Sequence, residues 1–388
     1  MPHTASRKRL RLLLVWISLV VLLAVIGYML AIMTKTGSLF NDFIEYWAAG
    51  RLNVIGGNPY DPNQLLSLQK EVGWPKDQPE RMWNPPWTLT LVIPFSMLSY
   101  PVSSGLWFIL NLVLVLFCAD RLWKFYGGLP SDRWVAWVVS SMFIHTIYVL
   151  IWGQIGVLIL LGIVGFLHFN KNQKGWLAGI CFALVAIKPH LLYLVWIALL
   201  FWVIGVRYWS VLLGVGTAGI VGMAIPLGMN SAVITQYLLA IREPHFFTWV
   251  TPTFGAVLRK LFGWEKIWLQ FIPPLLGTIW FLYYWSRHRR KWEWGEQMPL
   301  LLLVSLITAA FGWGFDQVVL LVVVVQVTVW ILYCGQGRII GWAIAPYLGI
   351  NYLPLIWSSG GAYWFIWVAP SLLLWYWAVR RKIMLRKG

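Results

Sequence analysis

Apolar segments of helical length follow one another along almost the whole chain. The first, residues 12–33, comes directly after a basic N-terminus. It is too long for the core of a signal peptide and lacks a small-residue cleavage pattern, so we interpret it as a retained transmembrane helix. Eleven further segments lie between short polar breaks, at 86–120, 133–150, 155–169, 175–187, 190–205, 208–228, 265–286, 298–313, 317–334, 339–357 and 362–379.

Composition supports a membrane protein, because 60% of the 388 residues are hydrophobic and only 11% are charged. A soluble fold needs more polar surface than this. We predict an all-α polytopic membrane protein, a single domain over residues 1–388 with about 12 transmembrane helices. Pro94 and Pro101 would bend the segment at 86–120, which we interpret as one crossing. The segment at 175–187 is short for a span and is expected to be buried among other helices.

The formal net charge of +17 is explained by the side of the membrane on which the cations lie. With twelve crossings and both termini in the cytoplasm, the basic clusters fall mainly inside and the acids mainly outside. This distribution predicts a multi-pass plasma-membrane protein and needs no nucleic-acid partner. Cys118, Cys181 and Cys334 lie in or at the ends of apolar segments, so no disulfide framework or thiolate metal site is indicated.

Two long loops then lie on the outer side, at 34–85 and 229–264. The first is expected to hold a helix at 41–53, a turn, a short amphipathic helix near 63–72 and a return rich in Pro and Trp. We find no internal repeat, which argues against a transporter built from two similar halves.

Polar residues that interrupt the apolar pattern converge on the same outer side. Charged groups at membrane depth are costly and are usually functional, so a cavity at the outer leaflet is predicted. The residues concerned are His145, Trp152, Gln154, Lys188, His190, Arg242, Glu243, His245, Asp316 and Gln317.

Lys188, in "AIKPHLL", ends one hydrophobic segment immediately before Pro189. An ammonium at the mouth of a helical bundle is well placed to hold a phosphate. The alternative is a lysine that extends from a helix end to the headgroups. His145 and His190 are each more typical of packing residues than of ligands, and no pair has the spacing of a metal site.

Asp42 and Glu45 come directly after the first apolar segment, in "NDFIEYWAAG". Helical spacing places both on one side of a short helix together with Tyr46. The same spacing resembles a capping box, and spacing alone leaves both interpretations open. A carboxylate that faces a cavity with a lysine favours the other interpretation, in which it removes a proton from a hydroxyl while the cation stabilises a phosphate leaving group.

Six motifs occur in the order and at the approximate spacing of a known family. They are "DFIEYWAAG", "GGNPYDPNQL", "WNPPWTLTLVIPFSML", "WGQIGVLILLG", "AIKPHLL" and "FDQVVLL". Over residues 42 to about 320 the chain resembles the polyprenol-phosphate-mannose-dependent glycosyltransferases, glycosyltransferase family 87 of the GT-C superfamily.

This resemblance implies a GT-C-like bundle with juxtamembrane helices in the first outer loop and a sugar donor carried on a lipid monophosphate. Asp42 would match the general base, Lys188 the cation on the phosphate, and Asp316 and Gln317 a motif that closes the cavity. The chain departs from the family pattern at Thr251–Pro252–Thr253 and at Gly314–Phe315, which leaves the acceptor and the sugar open.

The mechanism expected from this match is an inverting displacement on the outer face. A hexose, with mannose as the expected sugar, moves from the polyprenyl phosphate to a hydroxyl of a glycolipid or glycan. No metal or other cofactor is expected. The remaining candidates are Arg242 or His245 as a second phosphate-binding cation, and Glu45, Tyr46, Trp83, Asn84, His145, Gln154 and His190 around the substrates.

Two other classes of membrane protein share these sequence features. A lipid-linked sugar flippase also has many helices and intramembrane charges, but it needs access from both faces. A glycan polymerase or ligase uses the same lipid carriers, but it relies more on arginines in outer loops.

Overall fold

The computed structural model describes Gly27 and residues 42–243, 248–334, 337–356 and 365–384. This part of the chain is helical and contains no β-strand. The α-helices are α1 Phe43–Val54, α2 Pro62–Glu71, α3 Leu89–Ser96, α4 Tyr100–Phe125, α5 Arg133–Ser141, α6 Ile144–Trp152, α7 Gly156–Lys171, α8 Gly175–Phe182, α9 Tyr193–Val206, α10 Ser210–Met229, α11 Val233–Ala240, α12 Phe254–Phe262, α13 Ile272–His288, α14 Trp294–Thr308, α15 Leu321–Cys334, α16 Gly337–Ile356 and α17 Val368–Met384.

Helices coincide with the predicted apolar segments in the described residues, but few of them are long. Four are long and apolar enough to cross a membrane: Tyr100–Phe125, Ser210–Met229, Ile267–Lys291 and Gly314–Tyr333. A fifth is added if α5 and α6, which meet at an angle of 62°, form one broken span. The prediction of about twelve crossings is therefore not confirmed. The predicted first helix at 12–33 lies outside the described residues.

The segment at 86–120 differs from the single bent crossing that we predicted. The chain breaks at 97–99, and α4 alone has 26 residues. Pro101 lies in the first turn of α4, where its missing N–H breaks no helical hydrogen bond. The 8-residue α3 is too short to span and packs instead against α1, where Gly50 lies against Ser96.

The short segment at 175–187 packs between α7 and α10, as its length requires. It consists of α8 followed by a 3₁₀ turn, Ala183–Ile187. The backbones of α8 and α10 are in contact: a Cβ at Gly179 would lie 1.9 Å from the Val211 carbonyl oxygen, and one at Gly214 would lie 2.1 Å from that of Trp176. Only glycine fits at these two positions.

The bundle has two chemically different ends. At one end, Lys171 donates to the Phe125 carbonyl (3.5 Å) and Tyr333 donates to Asp132 (3.0 Å), which brings the connections after α4, α7 and α15 together. Basic residues are concentrated at the helix ends beside these connections, including Arg121, Lys124, Arg133 and Lys171. At the other end, turns at 153–155, 188–192 and 309–316 meet α1 and the chain segment before α3.

The contact between α8 and α10 generates a stability prediction. Gly214→Ala forces a methyl group into the Trp176 carbonyl, so we expect a loss of about 1–3 kcal/mol of folding free energy. Gly216→Ala in the same helix meets no atom within 4 Å and is the matched control. Thermal unfolding of both purified variants in detergent measures the difference. Equal unfolding temperatures would show that the two helices separate easily.

Candidate active site

A cavity of about 460 Å³ lies at the end of the bundle where the turns meet α1. It brings together residues from α1, from the chain before α3, and from the turns that follow α6, the 3₁₀ turn and α14. The sequence-predicted residues on its wall are Asp42, Glu45, Tyr46, Trp83, Asn84, Trp152, Gln154, Lys188, His190 and Asp316.

Gln154 connects the acidic and basic sides of this cavity. Its side-chain amide donates to Asp42 Oδ2 (2.8 Å), and its carbonyl oxygen accepts from Tyr46 (2.9 Å) and from Lys188 Nζ (3.2 Å). Gly153, with φ of +63°, ends α6 in a left-handed turn. This conformation favours glycine and turns the next residue toward the cavity.

Lys188 forms an ion pair with Asp316. Its Nζ lies 2.7 Å from Asp316 Oδ1, and the two side chains are only 12% and 2% exposed. The other oxygen of Asp316 accepts the backbone N–H of Trp313 (2.8 Å), at the start of the 3₁₀ helix Gly314–Leu320. Asp42, Gln154, Lys188 and Asp316 thus form one continuous chain of hydrogen bonds.

Asp42 is not used as a helix cap in the described part of the chain. Its side chain accepts no hydrogen bond from the amides of the first turn of α1. Asp61 shows what a capping aspartate does here, since its carboxylate accepts from the amides of Asn63 (2.9 Å) and Gln64 (2.8 Å) at the start of α2. The capping interpretation therefore applies to Asp61, and the Asp42 carboxylate is directed to the cavity.

Burial determines the protonation of the two carboxyls on α1. It raises the pKa of Asp42 to about 6, although the hydrogen bond from Gln154 acts in the opposite direction; the nearby Glu80 carboxylate adds to the increase. Glu45 is more deeply buried, and burial together with the Asp42 charge holds its pKa well above its usual value. At neutral pH, Asp42 is therefore largely ionised, and Glu45 is the harder of the two to ionise. A carboxylate with a pKa near the working pH is suited to general-base catalysis.

Some predicted residues lie away from the cavity wall. His145 is buried against Phe143 (ring centroids 4.9 Å apart) and Phe365 (6.4 Å). It opens α6, and the 9-residue helix rises about 13 Å before Gly153, so His145 and Gln154 do not share a turn. Gln317 donates to the Phe365 carbonyl (3.4 Å), next to this aromatic cluster.

The two candidates for a second cation also lie elsewhere. Arg242 is an exposed residue after α11 and does not line the cavity. His245 lies outside the described residues.

The cavity wall also contains residues that sequence reasoning did not select. Glu80 and Arg81 come from the polar stretch before the Trp-Asn-Pro-Pro-Trp motif, and Tyr237 and Trp249 come from the second loop. Arg81 pairs with Glu243 (2.9 Å), and the ring of Trp83 meets that of Trp249 (5.4 Å). The two long loops therefore contact each other at this cavity.

No group of three or more His, Cys, Asp or Glu side chains within the described ranges is arranged to hold a metal ion. The expectation that the reaction needs no metal remains a prediction.

The sequence model of glycosyltransferase family 87 matches residues 83–305, which is more than half of the chain. No curated protein and no solved structure matches the chain. The chain belongs to glycosyltransferase family 87, and it is a glycosyltransferase with the apolar helices of a membrane protein. The matched residues include Asn84, Gln154 and Lys188 but not Asp42 or Asp316, so the contribution of these two acids rests on the geometry of the cavity.

The raised pKa of Asp42 generates a prediction about stability. Between pH 4 and 6 the folded chain binds this proton more tightly than the unfolded chain, so stability falls as pH rises through this range. Asp42→Asn removes the free-energy cost of ionising this buried carboxyl, and the asparagine side chain still offers an acceptor to Gln154. At pH 7 we expect the variant to be more stable than the wild type by at most about 3 kcal/mol, with the difference disappearing near pH 4. Thermal unfolding of both proteins across this pH range is the measurement; a constant difference would exclude titration of Asp42 as the cause.

Proposed function

We propose that the protein transfers a hexose, most simply mannose, from a polyprenyl-phosphate donor to a hydroxyl of a glycolipid or glycan. The observation that carries this proposal is the hydrogen-bonded chain in the cavity. It places a carboxylate suited to base catalysis and a buried cation on the two sides of Gln154. This arrangement supplies the base that a displacement at an anomeric carbon requires, in a cavity whose wall also carries the cations Lys188 and Arg81.

In this reaction Asp42 takes the proton of the acceptor hydroxyl. The acceptor oxygen forms a bond to the anomeric carbon while the bond from that carbon to the phosphate oxygen breaks, and the electron pair leaves with the lipid phosphate. The configuration of the sugar is inverted. Glu45 lies on the same wall and contacts the acceptor or the sugar. The chain from Gln154 to Asp316 keeps Asp42 and Lys188 in position.

A lipid-linked donor is supported by a second, larger cavity. A groove of about 1,040 Å³ lies beside the polar cavity, between α4, α7, α8 and α10, and its lining is almost entirely apolar. Ile187 borders both spaces. The turn that separates them is held by hydrogen bonds from Asn84 to the Ile187 carbonyl (3.1 Å) and from Trp87 to the Ala186 carbonyl (3.0 Å). A lipid chain in the groove would place its phosphate next to Lys188.

The charge distribution supports an orientation of the protein in which the polar cavity faces the outer side of the membrane. The end of the bundle opposite the polar cavity carries basic residues at helix ends and in connections, including Arg133, Lys171 and Arg207. Basic loops remain in the cytoplasm. The cavity would then face the extracytoplasmic side of the plasma membrane, with both termini inside.

A lipid-linked sugar flippase is the second candidate. The groove that starts at Trp87 also reaches Arg121 and His168, which lie near the basic ends of α4 and α7. A path along the bundle is what movement of a lipid between leaflets requires. Transfer of labelled sugar in detergent, where no leaflets exist, separates the two functions.

The first activity prediction concerns Asp42. With labelled polyprenyl-phosphate mannose and a mixture of candidate acceptors, we expect Asp42→Asn to lower transfer by about 10²- to 10⁴-fold while donor binding persists. For the wild type, kcat/KM should rise with pH around a midpoint of about 6, because the base must lose its proton. Asp61→Asn is the matched control, since asparagine also caps a helix. Full activity of Asp42→Asn would exclude its role as base.

The second activity prediction concerns the groove. Gly219 lies on its wall, and nothing is within 4 Å of an added Cβ, so Gly219→Phe fills part of the groove without a backbone clash. We expect a higher KM for a long-chain donor and little change for a short-chain donor. Gly216→Phe adds the same side chain to the same helix away from the groove. Equal effects of both variants on both donors would argue against a lipid chain in this groove.

A further inference from the structure

The cation that was assigned to the phosphate from sequence is already neutralised. Lys188 pairs with Asp316 at 2.7 Å, and both side chains are largely buried. A phosphate that drew Lys188 away would leave the Asp316 carboxylate buried without its partner, which is strongly unfavourable. Lys188 also donates to Gln154, which in turn holds Asp42. Moving Lys188 would therefore disturb the base during the reaction that needs it.

Arg81 is a second cation on the wall of the same cavity, and its contacts differ from those of Lys188. Its side chain is 11% exposed, and its guanidinium donates to the Tyr60 carbonyl (3.3 Å) and stacks on Trp83, with Cζ 4.3 Å from the ring centre. These contacts hold the guanidinium in place independently of its acidic partner. A guanidinium has five N–H donors in one plane, a geometry that fits two phosphate oxygens at once.

The acidic partner of Arg81 is the part of this arrangement that can leave. Glu243 accepts from Arg81 Nη1 at 2.9 Å, but its side chain is 44% exposed and it lies in the turn after α11. Water can replace Arg81 at a carboxylate with this exposure, so separation of the pair costs far less than separation of Lys188 from Asp316.

We propose that Arg81 binds the lipid phosphate and that Glu243 is a resident counter-ion which the phosphate displaces. This inference rests on the proposed function. No covalent bond or proton is involved in the exchange: the Arg81–Glu243 pair separates, the Arg81–phosphate pair forms, and Glu243 becomes hydrated. Lys188 then acts as a positioning residue that keeps Asp316, Gln154 and Asp42 in register.

The exchange also links substrate binding to the contact between the two loops. Arg81 belongs to the loop at 34–85 and Glu243 to the loop at 229–264. When the phosphate takes the place of Glu243, one tie between the loops is replaced by a contact to the substrate. The ring contact between Trp83 and Trp249 remains beside it.

The test uses the opposite effects that displacement predicts. Binding of undecaprenyl phosphate to the full-length protein in detergent is measured for the wild type, Arg81→Ala, Arg81→Lys and Glu243→Gln. We expect Arg81→Ala to weaken binding at least tenfold, Arg81→Lys to restore part of it, and Glu243→Gln to tighten binding several-fold because the competing carboxylate is gone. In the double variant, Glu243→Gln should have no further effect, since it acts only through Arg81.

A purely structural tie between the loops gives a different pattern. Arg81→Ala and Glu243→Gln would then both weaken binding, and this result would overturn the proposal. Lys70→Ala removes an exposed cation of the same loop, whose partner Asp77 is fully exposed, and controls for general electrostatics. Thermal unfolding identifies any variant that fails to fold, and Arg81→Lys keeps a cation over Trp83 if the alanine variant does not.

The outcomes also separate this inference from the proposed function. If the wild type binds undecaprenyl phosphate and Arg81→Ala binds it equally well, the role of Arg81 is excluded while the proposed function stands. If the wild type neither binds the lipid phosphate nor transfers sugar from its mannosyl form, the proposed function and this inference both fail.

Discussion

The ion pair between Lys188 and Asp316 is the interaction on which the rest of the site depends. Both side chains are largely removed from water, so each requires the other. Asp316 is fixed by a backbone amide at the start of its own helix, and Lys188 transmits that position to Gln154. The location of Asp42 is thus determined from a turn that lies more than 270 residues away in the sequence. Three separate chain segments must be correctly packed before the base is in place.

Such a network also explains why the two acids on α1 behave differently. Both side chains are withdrawn from water, but the Asp42 carboxylate receives a hydrogen bond from Gln154, which favours its ionised form. Glu45 lies deeper and beside the Asp42 charge, so its own ionisation is opposed twice. One short helix therefore presents two carboxyl groups of different acidity to the same cavity.

The sequence predicted the centre of the site better than its rim. In a chain with so few polar residues, Gln154, Lys188 and Asp316 are conspicuous because they interrupt apolar segments, and Asp42 because it closely follows one. Arg81 and Glu80 lie in a polar loop where charges are ordinary, and no local signal distinguishes them. The number of membrane crossings was harder to predict, because hydropathy does not separate a full span from a buried helix of 14 to 16 residues such as α7 or α9. His145 was expected on the outer side with Gln154, but it lies in the first turn of α6, a helix length away, and polarity alone does not reveal this.

The backbone contact at Gly179 and Gly214 has a consequence for substrate choice. Both α8 and α10 line the apolar groove, and a contact without intervening side chains locks them into one rigid unit. The width of the groove on this side is then a constant of the fold and does not adapt to its occupant. Discrimination between slender and bulky hydrocarbon chains would then arise from the fixed width of the groove, far from the atoms that react.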